Sequence, residues 1–325
     1  MDVFFYILQH NIIPILLLIL AGFTLSKKFD IHLPTMSKLN FYLFVPAFIF
    51  VYLYTAPVNT GMVKILILSL LMLFTNHAIA LAIARLKKLP AAMTNAFKNV
   101  VMFNNCGNIG VSLIALVYTS RPYIVDGAAP YLETALAAMV IILITQSLSM
   151  NTIGFFNAGQ ASLGPKKAAK KILLMPIIYV IPTAALLKVF DIDIKPTVFW
   201  PALNYLKAGL VPIALLTLGV QLAQTKLSFS NPMVYTAVLT RLIIGPILAM
   251  MAIYFLGLDG ILAQVAFIAY AAPTAVNVAL ISIEYNNHPE FSAQTVMVST
   301  LLSTVTLTLA IYIARVIYPL TAASS

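Results

Sequence analysis

Charge is scarce in this sequence: Asp, Glu, Lys and Arg together make up 9% of 325 residues, against about 25% in an ordinary soluble domain. A water-soluble fold of this length could not cover its surface with so few charges. A soluble enzyme is therefore excluded, and so is a single membrane anchor carrying a large soluble domain. Cysteine occurs once, at Cys106, which excludes an intrachain disulfide. The four histidines, His10, His32, His77 and His288, stand apart from one another, without metal-ligand spacing and without a His-Glu-x-x-His string. No metal and no other cofactor is expected. A G-x-x-x-x-G-K-[ST] phosphate loop is also missing, so the chain itself has no means of using ATP.

What the sequence has in quantity is apolar residues, 62% of the chain, which is about 200 of the 325. A bilayer-spanning helix takes about 20 in a row, so the quotient is about ten helices. Polar punctuation divides the chain into ten spans, near 4–26, 36–55, 62–85, 92–119, 131–156, 171–189, 198–223, 232–256, 260–285 and 292–318. The expected fold class is thus an all-α polytopic membrane protein with ten transmembrane helices. The longest polar connection is 157–170, which carries Gly159, Gly164, Pro165 and several lysines.

A net charge of +10 would suggest nucleic acid on a soluble protein. On a polytopic one, basic residues mark cytoplasmic loops, and no nucleic-acid partner is expected. With the N-terminus outside, the inner segments hold Lys27, Lys28, Lys38, Arg85, Lys87, Lys88, Lys98, Lys166, Lys167, Lys170, Lys171 and Lys226. The outer segments hold Lys64, Arg121, Lys188, Lys195 and Arg315, and Lys207 and Arg241 fall within spans. Twelve against five satisfies the positive-inside rule. Asp2 and the absence of a basic segment before the first apolar run argue for a retained first helix rather than a cleaved leader. The expectation is an integral protein of the plasma membrane with both termini outside.

The two halves resemble each other. Asn11-Ile12-Ile13-Pro14-Ile15 recurs as Leu173-Leu174-Met175-Pro176-Ile177, and Phe44-Val45-Pro46 as Leu210-Val211-Pro212. Val111-Ser112-Leu113-Ile114-Ala115-Leu116-Val117-Tyr118 recurs as Val278-Ala279-Leu280-Ile281-Ser282-Ile283-Glu284-Tyr285. Each unit holds five spans, 1–156 and 171–318, separated by a basic loop at 157–170. An odd number inverts the second copy in the membrane. Inverted repeats are a common plan of secondary transporters, with the substrate site at the repeat interface near the midplane.

The chemistry is concentrated in two spans. The fourth contains Phe103-Asn104-Asn105-Cys106-Gly107-Asn108-Ile109-Gly110, and its counterpart in the ninth is Tyr270-Ala271-Ala272-Pro273-Thr274-Ala275-Val276-Asn277. Glycine weakens a helix by entropy and proline by its missing donor. Freed backbone groups are tolerated at membrane depth only against protein or a water-filled cavity. Two such sites at matching positions suggest two broken helices meeting in mid-membrane. The second half of each would present unpaired N–H groups and a positive dipole end to the cavity, which attracts anions. Asparagine amides donate to a carboxylate without carrying charge. The candidate substrate-binding residues are Asn104, Asn105, Gly107, Asn108, Gly110, Pro273, Thr274 and Asn277, and the expected substrate is a small organic anion. The competing explanation is that Asn and Gly only let membrane helices pack closely.

Three further residues are candidates for an electrostatic or coupling role. Arg241 lies deep in the eighth span, where a charge is costly and faces an interior or a cavity. It either neutralises substrate or bonds carbonyls near Pro246. His77, beside Asn76, is the histidine at useful depth. Gln146, like Ser303, offers a neutral oxygen for a sodium site. No carboxylate lies clearly mid-span, so the group that proton-driven carriers usually employ is missing.

Arg241-Leu242-Ile243-Ile244-Gly245-Pro246 resembles the Arg-x-x-x-Gly-Pro string of the auxin efflux carrier family. That family includes the plant PIN carriers and bacterial permeases for dicarboxylates. Glu284-Tyr285-Asn286-Asn287-His288-Pro289 is similar to its Glu-Tyr-Asn-x-His-Pro, and the Asn-rich fourth span and Pro273 to its two crossovers. The resemblance covers essentially the whole chain, without the long hydrophilic central loop of many plant members. It implies two inverted five-helix repeats whose fourth and ninth helices cross, a fold like that of the bile-acid sodium symporters. It further implies a scaffold and homodimer interface from 1–55 and 171–223, and a transport domain from 62–156 and 232–318 that moves as an elevator. Asn104, Asn105 or Asn108 would take the role of the crossover asparagine that binds the carboxylate. The expected function is a secondary transporter of an auxin-like or dicarboxylate-like anion and not an enzyme. The alternative is a sodium- or proton-coupled symporter of the bile-acid carrier type.

Overall fold

The computed structural model describes residues 2–55, 60–159, 173–225 and 231–320, and all of its regular structure is helical. In chain order the helices are α1 (Val3–Lys28), α2 (Leu33–Thr55), α3 (Thr60–Leu86), α4 (Ala91–Met102), α5 (Cys106–Tyr118) and α6 (Leu132–Ala158). They continue with α7 (Pro176–Val189), α8 (Phe199–Gln224), α9 (Pro232–Leu256), α10 (Gly260–Tyr270), α11 (Val276–Glu284) and α12 (Pro289–Ile317). The expected basic loop at 157–170 lies, from 160 onward, outside the described residues, as does Lys226.

Seven of these helices, α1, α2, α3, α6, α8, α9 and α12, are long and apolar enough to cross a membrane. This establishes an all-α polytopic membrane protein, although seven is fewer than the ten expected crossings. The shortfall has a local cause. The expected fourth span is divided into α4 and α5, and the ninth into α10 and α11. None of these pieces reaches the roughly 20 residues of a full crossing. The expected sixth is described as the 14-residue α7.

Several long helices contain a widened turn, at Leu8–Ile12, Asn40–Phe44 and Thr240–Ile244. Each lies just before a proline, Pro14, Pro46 or Pro246. Proline lacks the N–H and its ring clashes with the carbonyl four residues back. A π-type turn over that carbonyl absorbs the mismatch without breaking the helix.

Packing divides the helices into two sets. In one, α1 crosses α8, and α2 lies against α7 and α8. The α1–α8 crossing brings backbone onto backbone: a Cβ on Gly22 would stand 2.2 Å from the Leu216 carbonyl oxygen, and one on Gly219 2.0 Å from that of Ile19. In the other set, α3 packs on α4, α6 and α9, α10 on α6, α9 and α12, and α11 on α12. At one end of the bundle the two sets meet in a polar cluster. The Arg121 amide donates to the Tyr6 hydroxyl, and Asn11 donates to the Leu116 carbonyl at 3.1 Å. Tyr118 and Tyr123 both donate to Gln264, whose own amide donates to the Tyr318 carbonyl at 2.6 Å. Large apolar side chains such as Phe74, Val198, Tyr205, Ile247 and Phe255 stand exposed around the periphery, as a lipid-facing surface requires.

Candidate functional site

The two interruptions touch. After Met102 the chain is extended at Phe103, and after Tyr270 it turns and is extended at Ala275. Asn104 and Thr274 pair as an antiparallel bridge. The Asn105 amide donates to the Pro273 carbonyl at 2.7 Å, and the Ala275 amide to the Phe103 carbonyl at 2.9 Å. A helix end leaves its last carbonyls without intrahelical partners, and a buried end must find others. Here side chains from across the junction supply them. Asn104 Nδ2 donates to the Ala269 carbonyl and Thr274 Oγ1 to that of Val100, both at 2.9 Å. Arg241, fully buried on α9, donates through Nε to Ala272 (3.2 Å), through Nη1 to Val101 (3.1 Å) and through Nη2 to Tyr270. The carbonyl ends of α4 and α10 are thereby matched.

The opposite ends, the starts of α5 and α11, are not. Val276 and Asn277 have amides with no acceptor among the described residues, and those of Cys106 and Gly107 have only the Cys106 sulfur beside them. Asn105 caps α5 by accepting from the Asn108 amide at 3.2 Å. Because an amide N–H can only donate, this contact identifies Oδ1 as the acceptor and leaves Asn105 Nδ2 over. That atom is buried without a partner. Gln146 accepts from the Asn104 amide, and its Nε2, near the Tyr270 hydroxyl, closes no hydrogen bond. The side chains of Asn108 and Asn277 are half-buried.

These groups surround one cavity of about 60 Å³. Asn104 to Asn108 line it from one interruption, Ala275 to Asn277 from the other, Gln146 and Ser147 from α6, Ser37 and Asn40 from α2, and Thr217 from α8. A second cavity of about 310 Å³ adjoins it, sharing Ser37, Phe41, Val45 and Ser147 and carrying Lys38 on its wall. The wider space lies at the end of the bundle where α2 begins and α6 ends. Among the described residues Arg241 is the charged side chain that is buried. Two helix N-termini face the cavity, a setting that favours anions, and Arg241 lies behind it on the carbonyl ends of α4 and α10.

The sequence candidates are thus sorted by position. Asn104, Asn105, Gly107, Asn108, Asn277 and Gln146 line the cavity. Pro273 and Thr274 do not: the Pro273 carbonyl and Thr274 Oγ1 join the two interruptions, and the Thr274 amide donates to Ser299 Oγ on α12. Gly110 is buried below the cavity, where an added Cβ would fall 2.6 Å from the Met139 methyl carbon. His77 is half-buried on α3 and stands away from the cavity. Arg241 does bond carbonyls, but those of the two interruptions rather than those near Pro246. Sequence reasoning missed Ser37, Asn40 and Thr217. Their signal is polarity within apolar spans: Asn40 Nδ2 donates to Thr217 Oγ1 at 3.3 Å, linking α2 to α8 beside the cavity.

Against known proteins, the chain matches the family model described as membrane transport protein, over residues 7–164 and 160–311. Over 114 residues it is 32% identical to a putative malonate transporter of Rhizobium meliloti (strain 1021). That alignment covers 35% of this chain and 36% of the relative, so the chain spans about a third of the length of the curated relative it matches.

Proposed function

We propose that this chain, which belongs to the membrane transport protein family, is a secondary transporter rather than an enzyme and carries a small carboxylate by alternating access. One observation carries this reading: buried hydrogen-bond donors left over at the junction of the two interruptions, with a fixed cation behind them. Burying a donor without a partner costs about 1–3 kcal/mol. A carboxylate has two oxygens and about four acceptor sites, enough to engage Asn105 Nδ2 together with the amides of Val276 and Asn277. Asn108 would close over it. The relative's name supports a dicarboxylate such as malonate. So does size, since 60 Å³ is far below the roughly 300–1,000 Å³ of pockets for drug-sized ligands; an auxin-like aromatic acid fits that volume less well.

In this reading α4 with α5, and α10 with α11, each complete one crossing, giving ten crossings in two inverted five-helix repeats. The set built on α1, α2, α7 and α8 is the scaffold and homodimer interface, and the remainder moves as an elevator. The backbone contact at Gly22 and Gly219 supports a rigid scaffold. Both termini lie outside the plasma membrane, in keeping with the charge asymmetry of the connections, and the 310 Å³ cavity opens inward.

The test is uptake of labelled malonate into liposomes containing the purified protein, with indole-3-acetate as comparator. Asn105→Ala, Asn108→Ala and Asn277→Ala are each expected to lower uptake by about tenfold or more, the equivalent of about 1.4 kcal/mol. The carboxylate site would be refuted by three variants that all transport like the parent.

A further inference from the structure

Arg241 is an anomaly. Its hydrogen bonds go to backbone carbonyls, Val101, Tyr270 and Ala272, and none goes to a carboxylate. Desolvating a cation costs several kcal/mol, and interior arginine in a membrane protein marks a function. The three carbonyls have a particular origin: they lie at the C-terminal ends of α4 and α10, the negative ends of those helix dipoles. Carbonyl ends of interrupted helices are the oxygen ligands with which secondary carriers hold a coupling sodium ion. In this chain a guanidinium fills that cluster. It has five donors in a planar fork and cannot be deprotonated under ordinary conditions. Gly245, one turn further along α9, lies beside the guanidinium, where a Cβ would stand 3.4 Å from Arg241 Nη2. Among the described residues there is also no cluster of three or more His, Cys, Asp or Glu that could hold a metal ion.

We propose that Arg241 is a resident cation that stands in for a coupling ion, so that the anion is carried without sodium. This rests on the carrier reading of the same site. It goes beyond that reading by specifying the energetics. The charge that a symporter must recruit for each cycle is here covalently part of α9.

Two measurements test it. In the first, labelled malonate uptake is compared in sodium chloride and in choline chloride at equal ionic strength. The rates are expected to agree within about twofold, and a loss of about tenfold in choline overturns the proposal. The second needs no transport. Thermal unfolding of the detergent-purified protein is followed with and without sodium at about 0.15 M. The parent is expected to be indifferent to sodium, whereas Arg241→Ala is expected to melt lower and to be restabilised by sodium or by added guanidinium. A parent stabilised by sodium, or an Ala variant as stable as the parent, overturns the proposal. Should the Ala variant not fold, Arg241→Lys serves in its place. It keeps the charge but cannot span three carbonyls, and is expected to melt lower and ignore sodium; a sodium response in it counts against the proposal. If no malonate moves in either buffer, the carrier reading fails while the melting experiment still decides the role of Arg241.

Discussion

Asn104, Asn105 and Asn108 are three identical side chains within five residues, and the fold gives them three different occupations. Asn104 supplies a donor to the end of α10, Asn105 caps α5 and keeps a donor in reserve, and Asn108 lines the cavity without sealing anything. Their substitutions should therefore separate. Asn104→Ala removes one of the two donors on the Ala269 carbonyl, the other being the Ala272 amide at 3.2 Å, and is expected to cost about 1 kcal/mol of stability, read as a lowered melting temperature. Asn108→Ala should leave melting unchanged and reduce malonate uptake. Equal melting temperatures for the two variants would contradict this division. Composition alone marked the cluster as a place of interest, because asparagine and glycine in mid-span are costly unless used. Composition could not rank its members: the ranking depends on Ala269 and Pro273 meeting Asn104 and Asn105 across about 165 residues of chain, and on the Asn108 amide turning back onto Asn105. The same holds for Arg241, whose depth was legible and whose partners were not.

Helices carry the second level of organisation. Apolar runs marked where the long helices lie, since hydropathy is a local property. Their interruptions fall within the strings that Asn104, Gly107, Gly110 and Pro273 punctuate. Length was less legible, because the number of crossings and the number of full-length helices differ wherever a helix stops inside the bilayer. The string Glu284-Tyr285-Asn286-Asn287-His288-Pro289 becomes intelligible here too. Asn286 and His288 both take left-handed backbone angles, φ 47° and 48°, in the turn that reverses the chain between α11 and α12. Asparagine and histidine are among the non-glycine residues that tolerate this region. The α1–α8 crossing had no local signature at all, since Gly22 and Gly219 acquire meaning only when paired. Gly219→Val should be among the most damaging substitutions in the protein. Its side chain meets backbone rather than a movable side chain, and overpacking of this kind costs about 1–3 kcal/mol or more. Gly110→Ala should be milder, as the atom it meets is the flexible tip of Met139. Melting curves of the two variants check the order.

At the scale of the whole molecule, the proposed alternating-access cycle gives the leftover donors at the starts of α5 and α11 a kinetic consequence. A cavity that re-crosses the membrane empty must do so with several hydrogen-bond donors unanswered in a low-dielectric interior, while a filled one re-crosses with them engaged. Even one unmatched donor, at about 1–3 kcal/mol, slows the vacant return by about fivefold or more. The carrier should therefore turn over fastest as an exchanger. Efflux of labelled malonate from preloaded vesicles is expected to rise about tenfold when unlabelled malonate is supplied on the far side. Equal efflux with and without that trans-substrate would show that the vacant return is not the slow step.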